Sequence, residues 1–275
     1  LRSLFPEQSE RVNLVEMYSR GVEVPEDRPF VRVNMISTLD GATSFAGRSG
    51  GLGGPGDKLL FSVLRSLSDL ILVGAGTARA EHYGQAKLPV EVQRMRESRG
   101  QRPLPAIAVV TQSLTVDWAS PLFSGPDPRP IVIAPGNSSA DALARAGTVA
   151  DVLTTGLEAV DLRAALEALA ERGMRHVLCE GGPKLNTSLA AAELVDELCL
   201  TLSPRLAGSV GGGLLGGWLG SGGRWISRQE SAGETMLSDQ PFVRLLALNL
   251  VHVLEEDSFL FLRMRPDYRG GSAAP

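Results

Sequence analysis

Cysteine, histidine and aromatic residues are scarce in this chain of 275 residues, which has two Cys, three His and 5% aromatics. Cys179 and Cys199 both fall in apolar, strand-like runs, so they read as buried free thiols rather than a disulfide. No Cys or His stands at zinc-ligand spacing, and the H-x-E with P-C-x-x-C pattern of zinc deaminases is missing, so no metal centre is expected. There is no run of about 18 apolar residues to span a membrane, and no charged-then-apolar leader opens the chain. Basic residues do not cluster and the net charge is −4, which argues against a nucleic-acid partner. These absences leave a cytoplasmic, metal-free enzyme or binding protein that acts on a small molecule.

What is present is an ordinary globular composition, 43% hydrophobic and 21% charged, with long enough a chain for a sizeable core. The most informative stretch begins at Ser68. Asp69-Leu70-Ile71-Leu72-Val73 is a short apolar run and reads as a buried strand. Gly74-Ala75-Gly76-Thr77 follows, and then Ala78-Arg79-Ala80-Glu81, which favours helix. A strand that turns through Gly-x-Gly into a helix presents backbone N–H groups to an anion, and Thr77 can add a hydroxyl. A bare strand-to-helix turn is the other reading of the same residues. Arg79 stands where a G-x-G-x-x-G fingerprint needs its third glycine, so an ordinary Rossmann domain is not indicated.

Along the chain, residues 1–28 read as a surface arm, residues 29–265 as the folded domain and residues 266–275 as a disordered tail. Residues 29–37 alternate as a strand with one more polar face that includes Arg32 and Asn34. Asp40-Gly41 ends it, either as a plain turn or as a carboxylate at the edge of a cleft. The segment 47–56 holds six glycines and forms a loop. Asp57 then caps a helix over 58–67, with Leu59, Leu60, Val63, Leu64 and Leu67 on one apolar face. Arg94, Arg96, Arg99 and Arg102 read as a solvated face. Further strands are expected at 106–111, 130–134, 149–153, 175–179 and 199–203, with helices capped by Ser138 or Ser139 and by Asp161.

After the strand that ends at Cys179, Glu180-Gly181-Gly182-Pro183-Lys184-Leu185 repeats the logic of the first glycine turn, with Pro183 suited to the first helical position. The glycine-dense run 208–223 lacks the Lys-Ser/Thr ending of a P-loop and reads as a flap. Strand patterns at 242–253 and 258–264 close the chain as a β-hairpin. The fold class is therefore α/β: a mostly parallel central sheet, helices on both faces and a C-terminal antiparallel hairpin. In such sheets ligands bind beyond the strands' carboxyl ends. That rim carries Asp40, Gly74, Gly76, Thr77, Gly156 and the Glu180–Leu185 turn. Asn34 lies on the polar face leading up to it.

At these residues the chain resembles the reductase domain of riboflavin biosynthesis, a family with a dihydrofolate reductase-like fold. The resemblance rests on four pieces in family order: residues 28–33 leading to Ser37-Thr38-Leu39-Asp40-Gly41; residues 68–77; Glu180-Gly181-Gly182-Pro183; and Leu194-Val195-Asp196-Glu197-Leu198. It implies an NADPH-dependent reductase that adds hydride to C1′ of a ribosylamino-pyrimidine 5′-phosphate. It also implies that Thr77, Gly181, Gly182, Pro183, Lys184 and Leu185 hold NADPH, that Asp40 and Glu180 border substrate, and that the enzyme is a homodimer. Asp40 is the expected acid. Where the family carries an Asp-Asp-Pro-x-Leu-x-x-Arg run, this chain has Glu81-His82-Tyr83-Gly84-Gln85. Glu81 replaces the first acid and joins the cofactor set; the arginine has no counterpart. Without deaminase motifs the expectation is a reductase alone. Reduction of a pterin, dihydrofolate or another small imine or carbonyl is the alternative, and a non-catalytic NADPH-binding relative is a third reading.

Overall fold

Runs such as Leu70–Gly74 and Ile131–Ala134 are too short for stable helices, and they are buried along their length, as inner strands are. The computed structural model describes residues 1–45, 47–125, 128–207 and 246–268. Its elements in chain order begin with β1 (Arg2–Phe5), α1 (Leu14–Ser19), β2 (Phe30–Thr38), α2 (Pro55–Leu67), β3 (Leu70–Gly74), α3 (Ala75–Ala80) and α4 (Val90–Ser98). They continue with β4 (Ala106–Val110), β5 (Ile131–Ala134), α5 (Ala140–Val149), β6 (Asp151–Thr154), α6 (Leu162–Glu171), β7 (His176–Cys179), α7 (Pro183–Ala191), β8 (Glu197–Ser203), β9 (Ala247–Glu256) and β10 (Phe259–Asp267).

Among the described residues the sheet runs β1-β9-β10-β8-β2-β7-β3-β4-β5-β6. Every neighbouring pair from β8 through β6 is parallel, and β10, β9 and β1 join antiparallel at one side. The carboxyl ends of these seven strands and of β9 therefore share one rim. Asp257 and Ser258 make the tight turn of the C-terminal hairpin, both at positive φ.

Alternation along the strands divides the core between the two faces. On one face Val31, Val33, Leu70, Leu72, Ile131 and Ile133 pack against Leu166 and Leu169 of α6 and Leu185 and Leu189 of α7. On the other, Ile71, Val73, Val109 and Val132 meet Ala146 of α5, while Leu178, Cys199, Leu254 and Phe261 lie under α1 and α2. Both cysteines are free and fully buried, as expected. No described helix is long and apolar enough to cross a membrane.

Four expectations are corrected here. Residues 1–28 are not merely a surface arm, since β1 pairs with β9 and Tyr18 is buried. The tail begins later than residue 266, because Pro266 and Asp267 belong to β10 and the Tyr268 hydroxyl donates to the Val195 carbonyl at 2.9 Å. Residues 269–275, the run 208–223 and the start of the 242–253 pattern lie outside the described residues. Arg96 is not on a solvated face. It is fully buried, and its Nη1 donates to the Ser66 and Ser68 carbonyls at 2.8 and 2.7 Å, which satisfies the end of α2. Arg32 is also buried rather than polar-facing.

Arg32 is buried because the sheet holds a charge cluster. The Glu197 carboxylate, with no exposed surface, accepts from Arg32 Nε at 2.5 Å and from Arg263 Nε at 2.6 Å. The two guanidiniums spend their other donors on the Tyr18 and Met17 carbonyls, each at 2.7 Å, and on that of Arg20 at 3.1 Å. They thereby cap the C-terminal end of α1. Burial, reinforced by Arg263, pushes His252 down to about 4, so the imidazole beside this cluster is neutral. Glu197→Ala leaves two buried cations without a counter-charge. Its expected cost is about 3–5 kcal/mol, read as a lower urea midpoint, with faster amide exchange in α1. A midpoint equal to that of the wild type would refute this role.

Candidate active site

Each glycine turn sits at the carboxyl end of an inner strand, and adjacency of β7 and β3 brings the two together. The Gly74 N–H donates to the Gly181 carbonyl at 2.8 Å. Gly181 has φ +84°, a conformation that disfavours a side chain. A Cβ on Gly182 would run into the Thr77 hydroxyl. The two turns are thus packed backbone to backbone.

Gly182 is the N-cap of α7, with Pro183 in the first turn and no side chain capping the helix. By contrast, Ser139 caps α5 and Asp161 caps α6. The N–H groups of Lys184 and Leu185 at the start of α7 are therefore left for another acceptor. The Leu185 side chain is in the core, and that of Lys184 is exposed.

A cavity of about 550 Å³ opens beside these turns. One wall carries Gly76, Thr77, Glu81, Gly182 and Pro183; the other carries Asn34 of β2 and Asp57, Lys58, Phe61 and Arg65 of α2. The β2–α2 connection crosses above through Ser49, Gly50 and Gly53.

Glu180 borders the cavity as expected, but its charge is already matched. Arg65 grips it with two bonds of 2.7 Å, and the Tyr83 hydroxyl donates at 2.5 Å. Arg65 also stacks on Phe61 at 4.2 Å. Burial and the neighbouring Glu180 push the Tyr83 phenol well above its ordinary value, so it stays a donor. Burial works against the Arg65 charge, yet Glu180 outweighs it and the pKa rises.

Asp57 is the group that sequence reasoning missed. It was read as a helix cap, but α2 starts at Pro55 on Gly54, and Asp57 lies inside the first turn and in the cavity wall. Burial raises its carboxyl above the ordinary 3.8, opposed by a hydrogen bond with Thr201 and by Lys58. The available signal was Pro55, which favours the first helical position and moves the start upstream of Asp57.

Asp40, the expected acid, does not line this cavity. Its carboxylate is hydrogen-bonded to the Thr38 hydroxyl and to the Ala207 N–H, at 3.1 Å from each oxygen, holding the turn that ends β2. The bond with Thr38 is the short-range kind an Asp-Gly turn favours, whereas the Ala207 N–H comes from a distant part of the chain. Gly156 is likewise remote, at the tip of β6, where its φ of +68° serves the turn. The Glu81 carboxylate reaches the cavity wall and accepts from the Ser49 N–H at 2.6 Å.

Residues 29–221 match the family model described as the RibD C-terminal domain. The chain belongs to this family. It is 31% identical over 182 residues to the 2,5-diamino-6-ribosylamino-4(3H)-pyrimidinone 5′-phosphate reductase of Archaeoglobus fulgidus, covering 66% of this chain and 83% of that protein. The protein of the same name from Methanothermobacter thermautotrophicus is 31% identical over 183 residues, covering 66% and 80%. Among solved structures, a pyrimidine reductase-like protein from Corynebacterium diphtheriae superposes with a TM-score of 0.75 at 27% identity, covering 93% of this chain and 99% of that one. Of the four pieces named in the sequence, two line this cavity: residues 68–77 through Gly76 and Thr77, and the Glu180-Gly181-Gly182-Pro183 turn.

The contact between the two turns can be tested directly. Gly182→Ala is expected to cost about 1–3 kcal/mol by overpacking against the Thr77 hydroxyl. Combining it with Thr77→Ala removes that oxygen and should recover part of the lost thermal stability. Simply additive losses in the double-mutant cycle would show that a side chain at 182 does not press on the Thr77 hydroxyl.

Proposed function

We propose that this chain is a cytoplasmic NADPH-dependent reductase of a ribosylamino-pyrimidine 5′-phosphate, the diaminopyrimidinone compound or its aminouracil counterpart. The observation that carries this reading is one cavity with an uncapped helix start beside two glycine turns on one side and the half-buried Asp57 carboxyl on the other. The names of the archaeal relatives supply the substrate class.

The residues fit a dinucleotide. The backbone approach at Gly74, Gly76 and Gly182, the Thr77 hydroxyl and the free N–H groups of α7 suit a pyrophosphate. When bound, the dihydronicotinamide supplies hydride. Reduction of the open-chain C1′=N bond then needs hydride at C1′ and a proton at nitrogen. Asp57 is the proton donor in this reading, because burial holds it protonated to higher pH than a surface aspartate. Arg65, Glu180 and Tyr83 form a neutralised wall for the heterocycle, and Lys58 is the cation for the substrate phosphate. Asp40 supports the β2 turn instead of touching the reacting atoms.

A second copy of the chain is the proposed partner. Leu200, Leu202, Leu260, Leu262 and Met264 share one sheet face by their cross-strand register and remain half-buried, with Leu250 on the same face 44% exposed. An apolar face of this kind suits a self-complementary interface.

NADPH absorbance should fall when the diaminopyrimidinone ribosyl phosphate is added. Asp57→Asn should lower that turnover about 100-fold. The same variant should be more stable. The carboxyl's folded pKa is raised, so its contribution is full below the unfolded pKa and is lost as pH rises through the folded one. At neutral pH the amide is then favoured, read as a higher Tm for Asp57→Asn than for the wild type. Wild-type turnover of dihydrofolate but not of the ribosyl phosphate would reject the proposed substrate. Light scattering should give a dimer mass, and Leu262→Arg a monomer; a monomeric wild type would reject the interface.

A further inference from the structure

The β2–α2 connection lines the cavity at Ser49 and Gly50; Phe45 and Arg48 exchange backbone hydrogen bonds at its near end, the Leu52 N–H donates to the Ser49 carbonyl, and its bonds to the sheet lie at the far end. Leu52 is 3% exposed, and its carbonyl accepts from the Ser203 hydroxyl at 2.8 Å. The Gly51 carbonyl accepts from Arg205. Beyond this anchor, the Ser49 N–H donates to Glu81 Oε1 at 2.6 Å, on the opposite wall. Ser49, Gly50 and Gly53 line the cavity on the strap side, and Gly76 and Thr77 do so on the Glu81 side. Gly53 also lies directly on the Asp57 carboxylate, where a Cβ would collide with Oδ2.

We propose that Glu81 is a positioning residue: its carboxylate clasps the strap formed by residues 47–53 across the cavity and so shapes the pocket around Asp57. A glycine-rich segment loses much conformational freedom when it is ordered. A short hydrogen bond to an ionised acceptor is strong enough to offset part of that loss. Glu81 therefore acts through backbone rather than by touching substrate or cofactor. The single donor it holds is a peptide N–H, so any side chain at 49 except proline preserves the contact. What the strap encloses rests on the function proposed above; the clasp itself does not.

Arg48 is exposed and adjoins Ser49, which makes the strap a reporter of its own closure. Ligand-free wild type, Glu81→Gln and Glu81→Ala are treated with trypsin, and cleavage after Arg48 is followed by mass spectrometry. Cleavage should be about tenfold faster in Glu81→Ala, whereas Glu81→Gln, which keeps an acceptor oxygen, should stay close to wild type. In turnover, Glu81→Ala should raise KM about tenfold with kcat changed less than about threefold, and Glu81→Gln should restore most of it. Equal cleavage in all three folded proteins overturns the clasp. So does weaker NADPH binding in both variants without a change in cleavage, because Glu81 would then be a ligand contact. Faster cleavage in Glu81→Ala in a protein that never turns over the ribosyl phosphate upholds the clasp and rejects only the proposed substrate.

Discussion

The cavity depends on how closely two strand ends can approach. The Gly74 N–H reaches the Gly181 carbonyl at 2.8 Å, and Gly182 has no room for a Cβ beside Thr77. Parallel pairing of β3 with β7 sets the two turns side by side, and the glycines let the backbones close the remaining distance. The consequence is electrostatic. With no side chain capping α7, its first N–H groups stay unspent where the rim opens into a cavity. Polar groups held in place before a ligand arrives need little reorganisation when it binds.

Charge in the cavity is arranged by the same economy. Three donors from Arg65 and Tyr83 occupy Glu180, so a carboxylate beside an anion site repels nothing. Asp57 has Thr201 and Lys58 as opposing influences, yet burial dominates and raises its pKa. Two acids that line one cavity thus have different surroundings: Glu180 is held by three donors, and Asp57 has no arginine partner. At the other side of the sheet Glu197 is held between Arg32 and Arg263, which also close the end of α1. That cluster fixes the N-terminal segment against the sheet whose opposite end carries the site.

The elements were legible where local rules and burial agree. Asp161 and Ser139 cap helices as read, β3 and β5 are the short apolar runs, and Gly182-Pro183 opens a helix. The readings failed where a distant partner changed a residue's surroundings. Arg96 belongs to a helix with a polar composition, but the carbonyls at the end of α2 draw its guanidinium inside. Arg32 looked like the polar face of a strand until Glu197, far along the chain, supplied a buried counter-charge. Asp40 reads equally as a turn residue or a cleft carboxylate, and its carboxylate bonds to Thr38 and Ala207. Asp57 carried no such signal, because its importance comes from lying under the strap and against Thr201.

The α/β class, the family, the parallel run of strands with its closing hairpin and the two glycine turns can all be read along the chain. Each depends on the periodicity and residue chemistry of neighbours along the chain. Only the tertiary structure decided which carboxylate is paired, which holds a backbone and which faces the cavity unpaired by an arginine. Glu180, Glu81 and Asp57 are similar letters in a string. Arg65, the Ser49 N–H and the burial around Asp57 separate them, because a carboxylate's role follows from the donors and dielectric around it, and folding brings those together.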